Sequence, residues 1–212
     1  MKSFDWMSSV MCAAAAMPKF ERELCLLDTV IGDGDHGVTI RRGYESTLAG
    51  VQLSADTTIE EFCTSYATVI SDSMGGAIGP IYGLMWRSMG KALSGKSEIA
   101  AIDMAQALLA ASERIGIVGK VKAGDKTMLD ALVPAAEALM NAAGLPLTDA
   151  MFVSAEAANQ GSENTRTMIA KKGRARYLQE KSIGHVDAGA RSFSLWMMEL
   201  SECMKKRGEA LT

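Results

Sequence analysis

Apolar residues recur along the chain at intervals of three and four, the spacing that gathers them on one face of a helix. The clearest stretch opens at Thr58, where "TIEE" sets Thr58 and Glu61 in capping-box positions. Ile59, Phe62, Cys63, Tyr66, Val69 and Ile70 then fall on one side. Ser97 precedes another helix, with Ile102, Ala105, Leu108, Leu109, Ser112 and Ile115 as its inner stripe. A third begins at Lys126, repeats through Met128, Leu129, Leu132, Val133, Ala136, Leu139 and Met140, and stops at Gly144 and Pro146. Pro134 is expected to kink it. A further helix, opened by Thr148 or Asp149, is predicted to run to about Lys172, and the last passes through Phe193, Met197, Leu200 and Met204. An N-terminal helix, one from about Val38 to Ala49 and one after Gly79 bring the number to about eight. Most connections are short, which makes neighbours antiparallel. The predicted fold is all-α, a closed up-and-down barrel of about eight antiparallel helices, in one domain over residues 1–212.

Composition supports helix over sheet. Aromatic residues make up only 6% while Met alone supplies 15 positions, and strands favour β-branched and aromatic side chains. A net charge of -3 leaves no basic footprint for nucleic acid and no polybasic membrane patch. The alanine run near the start leads into the charged "KFERE" rather than a cleavage site, and no apolar run approaches the ~20 residues of a membrane span. Cys12, Cys25, Cys63 and Cys203 are widely separated and form no C-x-x-C pair, so buried thiols and a cytoplasmic location are expected.

The breaks between helices carry the chemistry. Four combine glycine with polar or ionic residues: "IGDGDHG" (31–37), "MGGAIGP" (74–80), "GKVKAGDKT" (119–127) and "KKGRARYLQEKSIGHVDAG" (171–189). They hold the chain's two histidines, His36 and His185, and in an antiparallel bundle they could share one rim. Asp33 and Asp35 in the first break and Asp28 just before it would repel one another unless something positive held them. Carboxylate oxygens on a short flexible loop suit Mg²⁺ or Ca²⁺ rather than zinc, and Mg²⁺ commonly takes its remaining ligands from phosphates. The competing explanation is a solvated loop whose aspartates cap helix ends. An EF-hand is excluded, because position twelve counted from Asp33 is Tyr44. An aspartyl-phosphate site lacks its α/β framework.

The other breaks are less specific. "GGAIGP" could offer backbone N–H groups to an anion at a helix start, or it could mark close packing at glycine. "GKVKAGDKT" misses a P-loop because Asp125 separates Gly124 from Lys126 and no strand precedes it. Arg174 and Arg176 could pair with phosphates or form a solvated basic helix end.

Taken in order and spacing, "LDTVIGDGDHGVTIRRGY", "GGAIGPIYG", "AGDKTMLDALVPA" and "KKGRARYLQEKSIGHVDAGARS" resemble the L subunit of dihydroxyacetone kinase, over nearly the whole chain. The resemblance implies an eight-helix barrel with ADP or ATP at one end. The family's metal-binding aspartates fall on Asp28, Asp33 and Asp35, implying a pair of Mg²⁺ ions on the nucleotide phosphates. Nucleotide contacts carry over to His36, Gly37, Val38 and Thr39, to Ala77 and Ile78, to Gly119 and Met128, and to Arg174, Asp187, Ala188 and Gly189. Arg174 is further implied to stabilise charge on the transferring group. Ile78 departs from the family's usual Ser or Thr, Thr39 from a common Asn, and Ala188 from a frequent Pro.

The implied activity is phosphoryl transfer to dihydroxyacetone, or to a related ketose such as erythrulose, held covalently on a histidine of a partner K subunit. Two versions fit the resemblance. ADP could be a retained cofactor rephosphorylated by a phosphohistidine protein of the phosphotransferase system (the M subunit), or ATP could be an exchangeable substrate. A nucleotide-sensing docking module without catalysis is the alternative of a different class.

Overall fold

A computed structural model describes residues 1–210. Nine α-helices account for most of the described chain: α1 (Ser3–Ala16), α2 (Glu21–Ile31), α3 (His36–Gly50), α4 (Ile59–Ser73), α5 (Ile78–Ala92), α6 (Ala101–Gly119), α7 (Leu129–Asn141), α8 (Leu147–Asn164) and α9 (Ala188–Ala210). From α3 onward each helix packs on its predecessor, and α9 returns against α1 and α2 to close the ring. The all-α expectation holds, with one helix more than about eight. The extra one comes from the N-terminal stretch, where the 3-10 turn Met17–Phe20 separates α1 from α2. Pro18 at the head of that turn breaks the continuing α-ladder.

The helix starts follow local rules. Thr58 caps α4 as the sequence predicts: its hydroxyl accepts from Glu61 N (3.2 Å), and the Glu61 carboxylate accepts from Thr58 N (3.0 Å). α7 starts at Leu129, later than expected, because Asp130 turns back to accept from Thr127 N and Gly124 N. α7 then runs through Pro134 to Asn141. Proline at 134 removes the donor that the Asp130 carbonyl would otherwise receive, and Gly161 of α8 packs onto that carbonyl. A Cβ at position 161 would stand 2.2 Å from it. α8 starts at Leu147 behind Pro146, one residue before the expected cap, and ends at Asn164 rather than near Lys172. Beyond it the Thr165 hydroxyl takes the amide of Asp187, and Arg166 O takes Gly184 N, so residues 165–187 fold back as a closed loop.

Aromatic side chains fill the barrel. Trp86 of α5 lies 4.2 Å (ring centroids) from Tyr66, 5.5 Å from Trp196 and 6.3 Å from Trp6, all fully buried. Burial of each ring contributes roughly 2–3 kcal/mol, and edge-to-face contacts add to that. The expectation of four free thiols fails for two of them. Cys12 on the outer face of α1 and Cys203 near the end of α9 form a disulfide, their Cα atoms 6.1 Å apart. Spacing along the chain could not reveal this, because it depends on the first and last helices lying side by side. Cys25 and Cys63 remain thiols. No helix among the described residues is long and apolar enough to cross a membrane.

Candidate functional site

At one end of the barrel α2 runs into the aspartate loop. Asp28, in the last turn of α2, folds its carboxylate over the chain that follows. It accepts from Gly34 N (2.9 Å) and His36 N (3.3 Å). This fold requires glycine at 32, where a Cβ would stand 2.0 Å from Asp28 Oδ1. Gly34 has φ +80°, a conformation costly for any residue with a side chain. The loop thus brings carboxylate oxygens of Asp28, Asp33 and Asp35 within 4.8 Å of one another, with Asp28 half-buried and the other two exposed.

Their electrostatics are unequal. Burial raises Asp28, partly offset by the His36 and Gly34 amides. Burial also pushes Asp33 upward, but the Arg174 guanidinium and hydrogen bonds from its neighbours outweigh it and hold Asp33 low. Asp35 is raised by burial and by the charge of Asp33. Arg174 is the cation in contact: its Nη1 pairs with Asp33 Oδ1 and lies 3.9 Å from Asp35 Oδ1. Arg176 turns away, its guanidinium over the exposed Tyr177 ring at 4.6 Å.

Three helix starts meet beside this loop. His36 opens α3, and its buried ring lies 3.0 Å (Nε2) from Ser192 Oγ. Ser192, in the first turns of α9, lies 3.1 Å from Tyr82 Oη of α5. This chain of polar atoms locks the N-termini of α3, α5 and α9 together, and burial drives the His36 pKa down to about 4. The expected sharing of one rim is therefore observed for these segments. Lys171 extends it to the 119–127 loop, donating to Gly124 O at 2.9 Å and lying 3.5 Å from Asp125.

The residues singled out from sequence divide into distinct environments. Gly37 and Thr39 are buried, and a Cβ on Gly37 would strike Glu21 O at 2.0 Å, so Gly37 seats α3 on α2. Val38 is exposed. The amides of Gly37 and Val38 belong to the first helical turn, which has no acceptor of its own. Close packing accounts for Gly79 of "GGAIGP" but not for Gly76. Gly79 packs against Met74 O and Ser71 O, whereas Gly76 (φ +62°) turns in the open ahead of Ala77 and Ile78. The Ile78 side chain packs against the core. Gly119 ends α6 in an exposed position, and Met128 precedes α7, buried. Asp187 caps α9, accepting from Ala190 N (2.7 Å), with Ala188 and Gly189 forming the first turn. Sequence reasoning missed Ser192, Asp130 and Lys126. Ser192 and Lys126 act across long stretches of chain that spacing cannot reveal, whereas Asp130 acts locally, on Gly124 N and Thr127 N, inside a segment read as helix.

Three carboxylates on a glycine loop, an arginine above them and several helix N-termini at one rim are groups that could hold a hard cation and a phosphorylated ligand. The donor set fits Mg²⁺: oxygen only, partly exposed, with the loop pinned by backbone bonds. The chain belongs to the DAK2 domain family, whose model matches residues 30–202. It is 32% identical over 182 residues to the PEP-dependent dihydroxyacetone kinase, ADP-binding subunit DhaL, of Escherichia coli, covering 85% of this chain and 87% of that one. The L-erythrulose 1-kinase of Mycolicibacterium smegmatis is 35% identical over 191 residues, covering 86% of this chain but 32% of that protein. The dihydroxyacetone kinase of C. freundii, solved in complex with AMP-PNP and Mg²⁺, superposes with a TM-score of 0.71 at 20% identity over 92% of this chain. This chain spans about a third of that kinase (33%).

Proposed function

We propose that this chain is the nucleotide-binding lobe of a kinase for dihydroxyacetone or a related short ketose, acting as one unit over residues 1–212. The meeting of Asp28, Asp33 and Asp35 with Arg174 at the rim of the helix starts carries the reading. Similarity to an ADP-binding subunit over most of both chains supports it.

Bound Mg²⁺, a pair of ions in this reading, would neutralise charge on the phosphate oxygens. The chain's own work is holding and orienting. Asp28 is fixed by the Gly34 and His36 amides, and Asp33 and Asp35 stand exposed beside it, Asp33 against Arg174. Amides at the starts of α3 (Gly37, Val38) and α5 (Ala77, Ile78) receive phosphate, where the helix dipole favours negative charge. His36 and Thr39 serve from below through backbone and packing. Gly119, Met128 and the Asp187–Ala188–Gly189 turn wall the nucleotide. Arg174 leaves Asp33 for the transferring phosphoryl group, and positioning with charge stabilisation accounts for the catalysis.

The chain contains no sugar site in this reading, so a K subunit supplies the acceptor. ADP would be retained in this reading, and a phosphohistidine protein of the cytoplasm, the M subunit, would return a phosphoryl group to it. The PEP dependence named for the E. coli relative favours this over free exchange of ATP. The test is to purify the chain with Mg²⁺, denature it and identify the nucleotide released. Near-stoichiometric ADP supports the cofactor version, and an empty chain that binds ATP reversibly supports the exchange version. No binding of either turns the reading to a docking module. Asp33→Ala should then abolish transfer by orders of magnitude in a kinase and leave partner binding intact in a module.

A further inference from the structure

Lys126 is the one lysine among the described residues that is fully buried, at 1% exposure. Its backbone takes φ +62°, a conformation that disfavours any residue other than glycine. The loop around it is braced: Asp130 accepts from Gly124 N (2.5 Å) and Thr127 N (2.7 Å), and Asp125 accepts from Lys122 N (3.0 Å). The brace aims the ammonium at three backbone carbonyls, Met168 O (3.2 Å), Ser182 O (2.5 Å) and His185 O (2.7 Å). All three of its hydrogens are used, as a buried ammonium requires. Met168 lies on the outgoing limb of the 165–187 loop, Ser182 and His185 on the returning one. Lys126 therefore ties the neck of that loop, and Arg174 sits between the tied limbs. The loop's inner side packs on the end of α2 through Ala170, Ala175 and Leu178 against Ile31, next to the aspartates.

We infer that Lys126 is a positioning residue for Arg174: by clamping both limbs of the 165–187 loop it fixes where the guanidinium meets the Asp28–Asp33–Asp35 site. A strained backbone and a buried charge at one residue are together unfavourable for folding, and positioning of the loop is the return for that cost. The inference rests on the nucleotide-binding reading for its functional half and on the contacts alone for its structural half.

The experiment measures both halves on the full chain. In Lys126→Met, amide hydrogen exchange should accelerate tenfold or more at residues 168–186 and stay unchanged in α4 to α6. MgADP affinity by calorimetry should fall about tenfold in Lys126→Met and likewise in Arg174→Ala, and the double variant should be no weaker than Arg174→Ala alone. A merely structural lysine would give additive losses, which overturns the inference, as does unchanged exchange at 168–186. If Lys126→Met does not fold, Lys126→Gln, whose amide can still donate to two carbonyls, takes its place. Absence of MgADP binding by the parent chain would instead remove the nucleotide reading, while the exchange data would still decide whether Lys126 clamps the loop.

Discussion

The guanidinium of Arg174 rests on the carboxylate of Asp33, so one residue from the late loop supplies positive charge to the early aspartates. A cation binding at Asp28, Asp33 and Asp35 would compete with this contact. On the proposed reading that competition would couple cation entry to release of Arg174 and make the guanidinium available to phosphate. Arg174→Ala should therefore act in opposite directions on two ligands. Mg²⁺ alone should bind a few-fold more tightly, since the competing charge is gone, while MgADP binds about tenfold more weakly. Calorimetry of the two titrations reads both. Both side chains are largely exposed, so the melting temperature should move by no more than about 2 °C. Changes in the same direction for both ligands would exclude the competition.

Gly32 offers a second way into the same site. A methyl group there would meet Asp28 Oδ1 at 2.0 Å, and the flexible carboxylate must swing aside. Asp28 would then lose its bonds from Gly34 and His36. Gly32→Ala should weaken Mg²⁺ binding roughly 10- to 100-fold, as loss of an oriented ligand does, without unfolding the exposed loop's surroundings. Mg²⁺ affinity equal to that of the parent chain would mean that Asp28 needs no such orientation.

Much of this was legible beforehand, and the reasons for the remainder are local. The α4 stripe and the Thr58–Glu61 cap depend on residues a few positions apart, so periodicity finds them. Asp28, Asp33 and Asp35 lie within eight positions, and their density alone raises the question of a cation. Lys126 sits in a loop that resembles a broken P-loop, and its partners are 42, 56 and 59 residues away. The Ser192 bridge from His36 to Tyr82 spans three helices, and Cys12 and Cys203 stand at opposite ends of the chain. Contacts of this kind exist only once the ring closes. The overlong reading of α8 has the same origin. Its apolar spacing continues past Asn164, but Thr165 is recruited by Asp187 from the returning limb.

Asp187 predicts a pH dependence. Burial pushes its pKa up to about 6, Asp130 adds to the rise, and the Ala190 amide and Lys126 oppose it. The unfolded value is near 3.8, so through the interval up to about 6 the folded chain binds more protons than the unfolded one. This contribution to stability is therefore largest on the acid side of the interval and falls as pH rises through it. Asp187→Asn keeps an acceptor for Ala190 and removes the charge. It should raise stability at pH 7 by on the order of 1–2 kcal/mol and leave it little changed at pH 4. Urea unfolding of the two chains across this range gives the difference directly. His36, lowered to about 4, titrates alike in both chains and drops out. Parallel profiles would show that Asp187 is no more than a surface cap.

The disulfide closes nearly the whole chain, with a separation of 191 residues between Cys12 and Cys203. In the chain-entropy account, a link across so long a loop restricts the unfolded state by an amount on the order of 4–5 kcal/mol. The folded contacts between α1 and α9 do not depend on it, since Trp6, Val10 and Trp196 are fully buried in the same core. Reduction should accordingly lower the melting temperature by on the order of 10 °C and leave a folded protein. Cys12→Ser with Cys203→Ser should melt where the reduced parent chain melts and should not respond to reductant. In a reducing compartment the pair would exist as thiols and the fold would stand on its packing alone. Thiol counting on the denatured, unreduced protein should find Cys25 and Cys63 alone. Four reactive thiols, with a melting temperature indifferent to reductant, would mean that α1 and α9 meet without the bond.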